Sequence, residues 1–175
     1  AVEQATDFLA DQGPLGRAYR KIADKHVLHL ALLIHDLGKG HPQDHCEKGL
    51  EIAQDTARRL SLAPDEAETL AFLVHRHLVM NHLAFRRDTS DDQLVVRFAV
   101  DVGSPELLRQ LFVLTAADLG AVGPDTWNSW KAEVLTDLYQ RAVQHLAGDS
   151  PGVDFDEYLE QRRQAVLAEL RQEQE

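Results

Sequence analysis

Residues 27–40 read VLHLALLIHDLGKG. The run from Val27 to Ile34 is almost wholly apolar, and it is followed at once by His35, Asp36 and the Gly38–Lys39–Gly40 stop. An apolar run with no alternation, closed by a glycine-type terminus, predicts a buried helix. We expect it to be the second half of one helix from about Arg17 to Leu37, and the central helix of the fold. A carboxylate at the end of such a helix is partly buried and is costly to leave unpaired. An arginine, a cluster of backbone N–H groups or a metal ion must compensate Asp36. The adjacent imidazole favours the metal, because His and Asp are ordinary ligands of first-row divalent ions. The plainer alternative is a helix end held by His35, Asp36 and Lys39 for structure alone.

Working outward, almost every segment reads as helix. A short one over Val2–Ala10 ends in the breaker DQGPLG (11–16). Asp44 and Glu47 have capping-box spacing, so a helix is expected from there to about Leu60. Pro64 opens another over Asp65–His82. Ser90 and Gln93 repeat the capping-box spacing before a helix ending near Gly103. Ser104 and Pro105 open the next, to Leu119, and Pro124 precedes a long one to about Leu146. GDSPG (148–152) is a break, and Asp154–Glu175 is a last, polar-rich helix. Convincing strand alternation and internal repeats are both missing. The expectation is an all-α bundle of about seven or eight helices at 1–147, with 148–175 a linker and C-terminal helix. The opening AVEQATDFLA lacks an initiator Met and reads as mid-helix, so the chain is expected to be a piece of a longer one.

Composition narrows the partners. With 29 Asp and Glu against 18 Lys and Arg, the formal charge is −11, which argues against nucleic acid as the main ligand. Such a surface suits a cationic cofactor, or a substrate gripped at one basic spot. The single cysteine, Cys46, excludes an internal disulfide and is neutral to a reducing cytoplasm. No stretch approaches the roughly 18 apolar residues of a membrane span. A cytoplasmic protein without membrane contact is expected.

Other ligand-type residues fall where Asp36 needs them. On the Asp65–His82 helix the apolar stripe is Leu70, Leu73, Val74 and Leu78. His77 lies on it and points inward, whereas His75 is about 200° round and points to solvent. On the helix opened by Ser104 the stripe of Leu107, Leu111 and Leu114 is continued by Asp118. His45 follows the N-cap Asp44, close to the glycine turn. Each alone is more simply a structural residue; four such positions on four helices suggest a shared metal site. Arg86–Arg87, just beyond the histidine helix, is either a solvated turn or a clamp for a phosphoryl group, to which the guanidinium fork is suited. No partner can be assigned to His26, His29, His41 or His145. Trp127 and Trp130, three apart, are expected to share a face and pack in the core.

The order His-Asp, His, His and distant Asp resembles the HD superfamily of helical phosphohydrolases. The resemblance is closer to the HD domains of bifunctional uridylyltransferase/uridylyl-removing enzymes. It is carried by LALLIHDLGKG (30–40), DHCEKGLEIA (44–53), LAFLVHRHLVMNHLAFRRD (70–88), LFVLTAADLGAVGP (111–124) and WNSWKAEVLTDLY (127–139). It implies an HD helical bundle that removes UMP from a tyrosine of the PII nitrogen-regulatory protein. It further implies a divalent ion (Mg, Mn or Fe), or two. His35, Asp36 and Asp118 would hold the first, and His45 and His77 a second bridged by Asp36. Asp36 and Lys39 would be catalytic, and Lys39, Arg86 and Arg87 would neutralise phosphoryl charge. HD domains usually open with a further metal-binding His; nothing before His26 supplies one, and it is expected upstream of residue 1. The nucleotidyltransferase and regulatory domains of such enzymes are expected in cis. Two alternatives stay open: the same chemistry on free nucleotides or small phosphate esters, and a non-catalytic scaffold.

Overall fold

The computed structural model describes residues 1–42, 44–87, 91–123 and 126–147. Among them are nine helical segments and no strand: α1 (Val2–Asp7), α2 (Pro14–Lys21), α3 (Lys25–Ile34), α4 (His45–Leu60), α5 (Pro64–Arg76), α6 (Val79–Arg86), α7 (Asp92–Val102), α8 (Pro105–Val122) and α9 (Ser129–Ala147). The all-α expectation holds. The segments expected at 148–175, the capping role of Ser90 and Pro124 lie outside the described residues.

Two expected helices are each broken in two. The first divides at Ile22, which ends α2 in extended backbone (φ −69°, ψ 119°). No proline or glycine marks the break. Ile22 is buried, and Lys25 Nζ donates to its carbonyl at 2.6 Å, so the corner is held by burial and a cation. Folding there brings Tyr19 onto His29, where the hydroxyl and Nε2 lie 2.9 Å apart. The second break is at His77–Leu78. His77 Nδ1 lies 2.7 Å from the Val74 carbonyl, and a ring N–H donating there takes the acceptor that a continuing helix would give to the Leu78 amide. Leu78, expected on the buried stripe, is consequently only half-buried.

The central helix is α8, not α3. Every residue of α8 from Leu108 to Ala117 is buried, and α1, α2, α3, α5, α6, α7 and α9 all pack on it. By contrast α3 leaves Leu33 66% exposed. The apolar run at 27–34 gave little sign of that one-sided exposure, because His29 is the one polar residue on the outward face. α8 is opened by Ser104, which accepts from the Leu107 amide, and by Pro105. α7 is opened by Asp91, which accepts from the Gln93 amide at 2.9 Å, and is closed by Gly103 at φ +70°.

α4 and α5 pack together closely. The buried face of α4 is Gly49, Ala53 and Ala57, one small residue per turn, which lets the helix axes approach. Trp127 packs on the core, but Trp130 is 58% exposed and lies against Phe85. The shared face predicted for the two tryptophans fails because α9 begins only at Ser129, so Trp127 lies before the helix.

Candidate metal centre

The cluster sits where the C-terminal ends of α3 and α5, the last turn of α8 and the start of α4 meet. The C-terminal ends of α3, α5 and α8 carry the negative ends of their helix dipoles, which favour a cation here. His35 is the residue that closes α3, and His77 closes α5. Asp118 lies one turn before the end of α8. His45 is the first residue of α4, whose N-cap Asp44 accepts from the Cys46 and Glu47 amides.

The glycine turn expected after Asp36 has a steric reason. A Cβ on Gly38 would lie 2.2 Å from the His45 carbonyl oxygen and 2.8 Å from the Gly49 amide nitrogen. Only a bare backbone lets the turn pass so close to α4, and this approach sets His45 beside the α3 terminus.

The donor atoms converge. His35 Nε2 lies 3.2 Å from Asp118 Oδ1 and 3.3 Å from Asp36 Oδ2. The other oxygen of Asp36 faces His77 Nε2 at 3.7 Å, so this carboxylate stands between the two imidazoles. The His77 ring is edge-on to both His35 and His45, with centroids 5.2 and 5.6 Å away. Lys39 Nζ donates to Asp36 Oδ2 at 2.6 Å. Thus the structure brings together His35, Asp36, Lys39, His45, His77 and Asp118. Arg86 and Arg87 are exposed at the far end of α6, whose eight residues span about 12 Å. Among the described residues no contact joins that pair to the cluster.

Two observations show that these residues fit a divalent ion. His35 Nδ1 donates to the Leu32 carbonyl at 2.9 Å, just as His77 Nδ1 donates to Val74. A carbonyl can only accept, so each ring is fixed with Nδ1 protonated and Nε2 presenting its lone pair. His77 Nε2 is buried and lacks a hydrogen-bond partner, a costly arrangement in a finished core, and the equally buried His35 Nε2 faces the carboxylate oxygens of Asp36 and Asp118. Secondly, His35, Asp36 and Asp118 form one group of donors within 4.8 Å of one another, and His45, Cys46 and His77 form another.

The electrostatics follow the same geometry. Burial depresses the His35 pKa, but Asp118, the Leu32 carbonyl and Asp36 outweigh it and hold it above the usual imidazole value. Burial also acts against the Asp118 carboxylate, yet His35, His77 and Lys39 bring its pKa below the usual range. Burial dominates at His77 and lowers its pKa. Burial, together with Asp44, Glu47 and Asp36, raises that of the Cys46 thiol.

Three of the remaining histidines, His26, His29 and His75, find other partners. His26 Nε2 pairs with Glu66 at 2.7 Å. His75, expected in solvent, is half-buried and meets Glu47 at 3.1 Å, which draws Glu47 away from the capping box expected of it. Cys46 was not singled out as a donor in the sequence: its place beside His45 is legible, but its approach to His77 depends on how α4 packs on α5. A cavity of about 510 Å³ between the α1–α2 turn and α9, floored by Phe8, Leu15, Phe112 and Trp127, contains none of these residues.

The HD domain family model matches residues 9–111. Over 166 residues the chain is 43% identical to the bifunctional uridylyltransferase/uridylyl-removing enzyme of Azospirillum brasilense, covering 94% of this chain and 17% of that protein. The enzyme of the same name from Zymomonas mobilis is 41% identical, with 93% of this chain and 18% of that protein covered. That of Gluconobacter oxydans is 38% identical over 89% of this chain. The chain therefore spans less than a fifth of the length of these relatives. No solved structure matches it.

Proposed function

The chain belongs to the HD domain family, and from that membership and its converging donors we propose that it is a metal-dependent phosphohydrolase domain that releases UMP from a uridylylated PII protein, working within a larger bifunctional enzyme. The observation that carries the metal-dependent reading is the convergence of the buried Nε2 atoms of His35 and His77 on Asp36, that of His77 without a hydrogen-bond partner. The substrate is proposed from the relatives' names.

In this reading His35, Asp36 and Asp118 hold one divalent ion, and His45 and His77 hold a second, with Asp36 between them. A divalent ion held by these residues would supply Lewis acidity, polarising a phosphoryl oxygen and lowering the pKa of a water toward neutral pH. The chain's own residues do the rest. The carbonyls of Leu32 and Val74 hold the two imidazoles in the ligating tautomer. Lys39 is mostly exposed on a flexible stem; once Asp36 is engaged elsewhere, its ammonium is available to neutralise phosphoryl charge. Arg86 and Arg87 are proposed to bind the same substrate outside the metal cluster, where a bulky protein substrate extends beyond its phosphoryl group.

The test compares turnover of uridylylated PII protein with that of free nucleotides and simple phosphate esters, each with and without added Mn2+. Release of UMP from the protein, at a higher kcat/KM than for any free nucleotide, is expected. Faster turnover of the free compounds would replace the substrate assignment and leave the metal chemistry standing. No hydrolysis of any ester by the metal-loaded chain would leave a scaffold.

A further inference from the structure

We propose that Cys46 is a thiolate ligand of the second metal position, beside His45 and His77. This rests on the metal-centre reading above and extends it to a residue that the reading does not use. Cys46 is half-buried in the first turn of α4, and its sulfur lies 3.6 Å from His45 Nε2. Tetrahedral coordination with a metal–sulfur bond of about 2.3 Å and a metal–nitrogen bond of about 2.1 Å separates sulfur from nitrogen by about 3.6 Å. The two atoms are thus already spaced as ligands of one ion.

A thiol donating to the His45 ring would show a similar separation. That alternative leaves His77 unexplained. The His77 side chain is fully buried, its Nδ1 is committed to Val74, and its Nε2 has no partner. A ring nitrogen of His77 lies within 4.8 Å of both the Cys46 sulfur and a donor nitrogen of His45, and Asp36 Oδ1 faces His77 Nε2 at 3.7 Å. One cation would satisfy Cys46, His45 and His77 together.

The consequence is metal selectivity. The first position, His35, Asp36 and Asp118, has only nitrogen and oxygen donors, which accept Mg2+, Mn2+ or Fe2+. A thiolate is a soft ligand that favours Zn2+, Co2+ or Fe2+ and disfavours Mg2+. The two positions are therefore unlike in affinity and in kind. Binding displaces the thiol proton to solvent.

The experiment is a Co2+ titration of the full chain, wild type and Cys46→Ser, followed in the visible for d–d bands and in the near-ultraviolet for sulfur-to-cobalt charge transfer. Wild type is expected to show both, and C46S the visible bands alone. In competition titrations, Zn2+ binding at the second position is expected to weaken in C46S by at least the ~10–100-fold that loss of an outer-shell partner costs. A second measurement needs no variant: Zn2+, but not Mg2+, should slow alkylation of Cys46 by iodoacetamide in the wild type. Visible bands without charge transfer in the wild type, or alkylation unaffected by Zn2+, would overturn the thiolate ligand and spare the metal centre. If the wild type binds no Co2+ at all, both proposals fail together.

Discussion

Asp36 is the residue on which the corner turns. One oxygen faces His35 and Lys39, and the other faces His77, so its removal takes a donor from both positions at once. Asp36→Ala is expected to abolish tight divalent-metal binding, read as metal retained after gel filtration. His75→Ala is the control: its ring pairs with Glu47 outside the cluster, and metal content should be nearly unchanged. Equal loss in the two variants would show that histidine position on α5 does not matter, contrary to the geometry. The contrast between inward His77 and outward His75 was legible from helical spacing. The fixing of the His77 tautomer by Val74 was not, because it depends on the helix ending there.

Among the elements, the glycine turn between α3 and α4 carries the tightest steric demand. Gly38→Ala must push apart the turn and the α4 backbone, since the added Cβ has no flexible neighbour to displace. Overpacking of this kind costs about 1–3 kcal/mol, and the shift moves His45. A lower thermal midpoint together with weaker metal binding is expected; normal metal affinity would mean that the close approach is not needed to place His45. The hub role of α8 has a separate test. Leu111 is fully buried, and Leu111→Ala should cost ~2–5 kcal/mol in denaturant unfolding. Leu33→Ala on α3, at a site 66% exposed, should stay within about 0.5 kcal/mol. Comparable losses would contradict the assignment of α8 as the centre. The sequence made α3 look central because apolar runs report how greasy a helix is, not how many neighbours enclose it.

On the scale of the whole molecule, the cluster joins α3, α4, α5 and α8, elements from both halves of the chain. Ions bound across these elements stabilise only the folded state. At a free concentration of about 100 times Kd one such ion adds ~2.7 kcal/mol. Each kcal/mol is worth about 2–4 °C for a chain of this size, so calorimetry should show a rise of several degrees with saturating Mn2+ or Zn2+, reversed by a chelator. No shift with any divalent ion would count against the site as a binding centre. The acidic balance, with a formal charge of −11, works in the same direction by favouring cations at this corner. No described helix is long and apolar enough to cross a membrane.

What the amino-acid order determined by itself was local. Apolar spacing, caps and prolines were enough for an all-helical chain, for the inward face of His77, and for acids at the ends of two apolar helices, because each of these depends on residues within a turn or two of one another. Where α2 parts from α3, which helix is enclosed by the rest, and whether Cys46 meets His77 were decided only in three dimensions. Those outcomes depend on contacts between residues 10 to 90 or so positions apart, such as Tyr19 on His29 and His35 on Asp118. No pattern within a single helix encodes such contacts, since they form only when separate helices compete for the same buried volume.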